Sequence, residues 1–160
     1  MSAISPPSNF TAMADSLTGI TFRYAGFWLR LVAVAIDGGV LLIAMWLLGL
    51  FFNINIATPE PTQTDIENFR LFEGASMFVA WIYYAMMESH GPQATVGKLF
   101  MGIYVTDLEG ERLSFFRATI RYWMKYVSTV ILFIGFLMAA FTPHKQALHD
   151  MVAKALVLKR

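Results

Sequence analysis

Phe27–Phe52 reads FWLRLVAVAIDGGVLLIAMWLLGLFF, and within it Arg30 and Asp37 are the two ionisable side chains. The hydrocarbon layer of a bilayer takes about 20 helical residues to cross, so a run of this length and texture predicts a membrane span. Trp28 and Trp46 suit anchors at or near its interfaces.

Composition agrees with that reading. The 160 residues are 57% hydrophobic and 14% charged, against a soluble norm of roughly 45–50% and about 25%. A soluble domain of this size keeps much of its area in water and could not hide so much apolar surface, so the excess must face lipid. A net charge of +1 gives no basic face for nucleic acid. With no cysteine, disulfide frameworks, zinc–thiolate sites, iron–sulfur clusters and cysteine nucleophiles are excluded.

Outward from the first span, Met1–Gly19 is polar and rich in proline and serine, which predicts a disordered tail over residues 1–20. It lacks the basic start and short apolar run of a cleavable signal, so the first span is expected to stay in the mature protein. Residues 21–160 form the membrane domain. Asn53–Arg70 reads as a polar loop with Pro59, Glu60, Pro61, Asp65 and Glu67. A second apolar run covers about 71–88, with Glu73 near its start and Glu88 closing it. Gly91, Pro92 and Gly97 then break any helix.

Met101–Thr106 is strand-like, Asp107–Gly110 reads as a four-residue turn, and an extended piece to Leu113 completes a small hairpin outside the hydrocarbon. Ser114 is an N-cap candidate. Arg117, Arg121 and Lys125 recur every four residues in the helix that follows, and so share a face. Tyr122, Trp123 and Tyr126 suit an interface. The third apolar stretch covers about 122–142, is broken by Gly135 and ends at Pro143. The fold class expected is an all-α membrane protein with three to four membrane helices and a small cytoplasmic β-hairpin.

The 53–70 loop holds one basic residue, Arg70, whereas 89–125 holds Lys98, Arg112, Arg117, Arg121 and Lys125. The positive-inside rule places the second segment and the N-terminus in the cytoplasm. Three spans would leave the tail outside, although it carries Lys145, Lys154, Lys159 and Arg160 and ends in strand-like Ala155–Leu158. That strand could pair with Met101–Thr106 only on the cytoplasmic side. A helical hairpin over Ser114–Phe141, reversing near Ile134-Gly135, resolves the conflict; both it and three simple spans stand at this point.

Arg30 and Asp37 lie two helical turns apart, on one face and about 10 Å apart along the axis. Arg30 can snorkel to the cytoplasmic interface. Asp37 is deeper, where a carboxylate costs roughly 2.5–3.5 kcal/mol to insert and is normally partnered inside a bundle. Gly38 and Gly39 would let a neighbouring helix approach. Two readings follow for Asp37: an ion or proton site, or a structural anchor neutralised by Arg30, by another basic side chain or by a proton. His149-Asp150 suits capping, salt bridging or an interface better than catalysis, since no serine sits in a nucleophile setting. His90 and His144 show no metal spacing. Gly91–Lys98 departs from the phosphate-loop pattern in spacing and in Leu99 after the lysine. Glu73 and Glu88 are most simply interfacial, and the Arg117/Arg121/Lys125 stripe reads as a lipid-headgroup contact.

Together these residues resemble the RDD family, named for one arginine and two aspartates: Arg30 and Asp37 in the first span, and Asp150 in Gln146-Ala147-Leu148-His149-Asp150. Thr95-Val96-Gly97-Lys98 with Gly102-Ile103-Tyr104-Val105, and Leu113-Ser114 with Arg117-Ala118 and Arg121, are similar to further stretches of that family. The segment Met151–Ala155 departs from its pattern, as does Gly91-Pro92-Gln93-Ala94. The likeness covers roughly Phe22 to Leu158.

The resemblance implies a multi-pass protein of the bacterial inner membrane, with transport proposed for the family, including cation/proton antiport. On the leading expectation the chain moves a cation, a proton or a small solute as an oligomer, with Asp37 as the titrating site, Arg30 its modulator and Asp150 a cytoplasmic partner. The rival expectation is a non-transporting scaffold or assembly module for another membrane protein, with Arg30, Asp37 and Asp150 as a structural charge cluster. No enzymatic activity, metal, cofactor or nucleic-acid partner is expected; the partners expected are the lipid bilayer and further copies of the chain or another membrane protein.

Overall fold

A computed structural model describes residues 23–54, 62–130 and 134–160. The expected tail over residues 1–20 lies outside them.

Helix α1 runs Phe27–Phe51, and of its 25 residues Ala33 and Asp37 are the buried ones. Leu42, Ile43, Trp46, Leu47, Leu50 and Phe51 are exposed, as is Trp28. In water that surface would be strongly unfavourable at roughly 25 cal/mol per Å² of apolar area; in hydrocarbon it carries no such penalty. Among the described residues α1 is the one helix long and apolar enough to cross a membrane, with a mean hydropathy of 2.4.

Helix α2 spans Gln63–Ser89. It begins well before the expected second apolar run, so residues 63–70 belong to helix and the 53–70 loop is shorter than the sequence suggested. Thr62 and Asp65 form the reason. The Thr62 hydroxyl accepts from the Asp65 backbone N–H (3.3 Å) and the Asp65 carboxylate accepts from the Thr62 N–H (2.8 Å), a reciprocal cap that satisfies two otherwise orphaned donors.

The rest of the chain is shorter pieces: α3 Val96–Phe100, β1 Ile103–Asp107, α4 Phe115–Val130, α5 Ile134–Phe141, α6 Leu148–Val152 and β2 Ala155–Lys159. The Ser114 hydroxyl accepts from the Arg117 N–H (3.3 Å) at the start of α4, as an N-cap should. Where one apolar stretch over 122–142 was expected, helix is described to Val130 and again from Ile134. Both pieces pack on α6. The segment just before Ile134-Gly135, the expected reversal, lies outside the described residues.

The expected hairpin is corrected. β1 pairs antiparallel with β2, from Ile103 opposite Lys159 to Asp107 opposite Ala155, and residues 111–113 form no strand. The 107–111 segment closes as a tight turn instead, with Asp107 Oδ1 accepting from the N–H groups of Glu109 (3.1 Å) and Glu111 (2.9 Å). The physical reason is burial. Ala155–Leu158 are all buried, whereas Glu111 and Arg112 are exposed and gain nothing from a place against the core. Gly102, at φ +62°, supplies the left-handed turn that starts β1 at Ile103 rather than Met101. Ala25 donates its N–H to Val157 O (2.8 Å), so the sheet also grips the chain just before α1. Ile103, Val105, Ala155 and Val157 form the core with Leu113, Ala118, Ala33 and Ala85.

Candidate functional site

Arg30, Ala33 and Asp37 follow one another along a single face of α1, at helical spacings of three and four. The short helix α3 sits on that face at Gly97. A Cβ there would lie 2.0 Å from the Ala33 carbonyl oxygen and 3.0 Å from Asp37 Cγ, so any side chain would force the two elements apart. The close approach expected at Gly38 and Gly39 is not found, since an added Cβ at either would meet nothing within 4 Å.

Asp37 is fully buried, and its carboxylate accepts from the Gly97 N–H (2.7 Å), the Tyr83 hydroxyl (2.7 Å) and the Thr95 hydroxyl (2.5 Å). The Tyr83 oxygen in turn accepts from the Val96 N–H (3.0 Å). This seat is built from neutral donors. Arg30, expected as a neutralising neighbour, points to a different partner.

Beside it lies a network of full charges. Glu88, at the end of α2, accepts from Lys98 Nζ and from Arg121 Nη1, each at 2.5 Å. Arg121 turns its other edge to Asp150, with Nε and Nη2 both 2.7 Å from Oδ1. Asp150 Oδ2 accepts from Arg30 Nη1 and from the Ala147 N–H (3.2 Å), which caps α6. Arg30 Nε also donates to Ala25 O (3.1 Å). Five helices thus contribute: α1 through Arg30, α2 through Glu88, α3 through Lys98, α4 through Arg121 and α6 through Asp150. Desolvating each ion costs several kcal/mol, which close, multiply hydrogen-bonded pairing offsets.

Of the sequence candidates, Arg30 and Asp150 meet directly, and Asp37 stands in its own seat. The basic stripe divides. Arg117 is half-buried and lies 3.7 Å from Asp107; Lys125 sits 3.9 Å over the Tyr84 ring and 3.7 Å from Glu88. Arg121, at 2% exposure, faces inward, which corrects its reading as a headgroup contact. The shared face was right and its direction was not: the buried carboxylates of α2 and α6 draw that face toward the interior. Glu88, expected at the interface, is 1% exposed, and Tyr122 is buried with its hydroxyl 2.8 Å from that of Tyr126. Glu88, Lys98, Thr95 and Tyr83 were not singled out as site residues. The signal available for Glu88 was an acidic residue closing an apolar run with a four-residue basic periodicity downstream.

Burial alone would raise the Asp150 carboxyl, but the Arg121 and Arg30 charges overcome it and hold the group well below the usual carboxylate range. His149 is pushed down to about 3 by burial, against the pull of Asp150 and with Arg121 adding to the shift; it is neutral at physiological pH. Burial and the Arg121 charge also lower the Lys98 ammonium, with Glu88 opposing. The cations here crowd one another.

A cavity of about 640 Å³ opens beside the network. Arg30, Lys98, Arg121 and Lys125 line it together with one carboxylate residue, Asp37, and its walls are otherwise largely apolar, with Leu31, Val34, Leu41 and Leu137 among them. One lining cation retains capacity: the Lys125 ammonium comes no nearer to Glu88 than 3.7 Å. Arg30 Nη2 is inaccessible and has no hydrogen-bond acceptor among the described residues. Among the described residues no group of three or more His, Asp or Glu side chains is placed to hold a metal ion.

The chain is similar to two proteins of Bacillus subtilis (strain 168). It is 29% identical over 146 residues to the uncharacterized protein YxaI, covering 84% of this chain and 96% of that one. It is 26% identical over 147 residues to the uncharacterized membrane protein YteJ, covering 87% and 83% respectively. No solved structure shows a significant match. The profile of the RDD family matches residues 24–154, a stretch that holds Arg30, Asp37, Asp150 and every member of the ion network, and on that match the chain belongs to the RDD family.

Proposed function

We propose that this protein is a multi-pass protein of the bacterial inner membrane, with its N-terminus in the cytoplasm, that binds and moves an anionic small molecule as an oligomer. The observation that carries the reading is the cavity, whose four cationic lining side chains exceed Asp37 in its wall and Glu88 and Asp150 behind it by one charge. Its volume falls within the range of roughly 300–1,000 Å³ usual for ligand sites. A bound anion would accept from Lys125 Nζ and relieve the repulsion among the lining cations.

Membrane placement is supported by α1 and by the relative YteJ, named as a membrane protein. The reading of several crossings draws on α2, α4 and α5, which pack in the same bundle, and on the β1–β2 pairing, which joins the C-terminal strand to the basic 89–125 segment. Oligomerisation is part of the reading because so few helices enclose a chamber more readily than a full pathway.

Cation or proton exchange at Asp37 receives less support. Oδ1 accepts two hydrogen bonds and Oδ2 one, so the ionised form is already satisfied by fixed donors, and exchange would abandon them. Catalysis by His149-Asp150 has no basis in the geometry, because Asp150 is committed to two arginines and a cap.

The scaffold reading draws on a specific observation too: the network ties five helices together and would serve assembly without any ligand. Anion binding separates the two. With the purified oligomer in detergent, a panel of organic carboxylates and phosphate esters should raise the melting temperature by several degrees at saturating concentration, and Lys125→Gln should remove the shift. A panel without effect on either protein would favour the scaffold.

A further inference from the structure

The walls of the cavity say how it is reached. Leu31, Val34 and Leu137 line it, yet each is also 45–48% exposed. The cavity therefore opens sideways, between α1 and α5, onto the apolar surface that surrounds the helix expected to cross the bilayer. Its two ends differ in chemistry. Arg30, Lys98, Arg121 and Lys125 gather at one, and Leu31, Val34 and Leu137, with Tyr126 and Thr129 beside them, are the exposed side chains of the mouth. A water-soluble anion would cross an apolar doorway to reach these cations. A molecule with an anionic head and a hydrocarbon tail would match both ends at once.

We propose that the occupant is an acidic lipid of the surrounding bilayer, entering laterally with its headgroup phosphate on Lys125 beside Arg30 and one acyl chain against Leu31, Val34 and Leu137. The inference rests on the cavity being a binding chamber and names its ligand class. Lys125, held to Glu88 only at 3.7 Å, is the donor placed for the phosphodiester, and Arg30, in the wall beside the Asp150 ion pair, adds its charge. Charge balance agrees: Arg30, Lys98, Arg121 and Lys125 face Asp37, Glu88 and Asp150, so one negative charge completes the set.

The test is lipid retention by the full-length protein in detergent, read by native mass spectrometry after exposure to mixed micelles of phosphatidylglycerol and phosphatidylcholine. Wild type should hold phosphatidylglycerol at least tenfold over phosphatidylcholine. Lys125→Gln and Leu31→Trp, the second of which plugs the mouth from an exposed position, should each lose that preference, while Arg117→Gln, on the same helix as Lys125 but outside the cavity lining, should keep it. Equal retention of the two lipids by wild type, or a preference that survives Leu31→Trp, overturns the proposal; Leu31→Trp decides the matter if Lys125→Gln does not fold. Glycerol phosphate, which carries the head without the tail, distinguishes this failure from that of the wider reading. If it binds in a Lys125-dependent way and the lipid does not, the chamber stands and the lipid is wrong; if neither binds, both fall.

Discussion

Asp37 and Glu88 are both buried carboxylates, yet they are held in opposite ways. Asp37 rests on neutral donors from three positions, two of them on the 95–97 segment; Glu88 rests on the full charges of Lys98 and Arg121. A seat of neutral dipoles is saturated and local, and it fixes α3 against α1. A cluster of ions is long-ranged and leaves residual field, and it joins distant parts of the chain while keeping cations available at the cavity. On the proposed function, the difference gives Asp37 an architectural role and the Glu88 side the ligand chemistry.

The largest effect should come from breaking the ionic half at its centre. Arg121→Gln leaves Glu88 and Asp150 each short of a buried cation, and losing one partner of a buried pair costs about 3–5 kcal/mol; the folded fraction in a thermal melt should collapse. Gly97→Ala attacks the neutral half through sterics alone. Its Cβ meets backbone at 2.0 Å, so a loss of about 3 kcal/mol is expected, at the upper end of overpacking penalties. Asp37→Asn is milder, because the amide keeps the shape and one acceptor oxygen. The loss should be roughly 1.5–3 kcal/mol, the worth of hydrogen bonds to a charged group, and melting of this variant should rank between wild type and Arg121→Gln. The reverse ranking would break the comparison.

Acid sharpens it further. His149 binds its proton more readily unfolded than folded, since its value falls from 6.5 to about 3. Its contribution to stability is therefore complete above pH 6.5 and is lost as pH falls from there toward 3. The slope is at most about 1.4 kcal/mol per pH unit for one proton. Asp150, also lowered, adds a loss of the same sign only as pH falls below its ordinary value of 3.8. His149→Gln should flatten the stability profile between pH 6.5 and 4, followed by chemical denaturation at each pH.

Much of this was legible in the sequence, and what was missed has a common cause. The α1 span, the Ser114 cap, the strand at Ala155–Leu158 and the capping and salt-bridging role of Asp150 all follow from local pattern. Periodicity also placed Arg121 and Lys125 on one face. It carries no information on where that face points, because direction is set by partners far along the chain: Glu88 lies 33 residues from Arg121, and Arg30 is 120 from Asp150. The same holds for Gly97, whose need for a bare backbone exists only because Ala33 crosses it. The hairpin failed because a two-residue-period pattern identifies a strand without identifying its neighbour, and the more deeply buried competitor took the place. The start of α2 was readable and overlooked, in the Thr62–Asp65 spacing.

On the proposed function, the cavity cations, and not Asp37, meet the transported species. The most direct measurement is flux in proteoliposomes, with organic anions and a panel of cation gradients presented to wild type, Lys125→Gln and folded Asp37→Asn in matched amounts. The account predicts anion flux that Lys125→Gln abolishes and Asp37→Asn leaves within about twofold of wild type, once normalised to folded protein. Cation or proton flux that Asp37→Asn abolishes and Lys125→Gln leaves intact would contradict it.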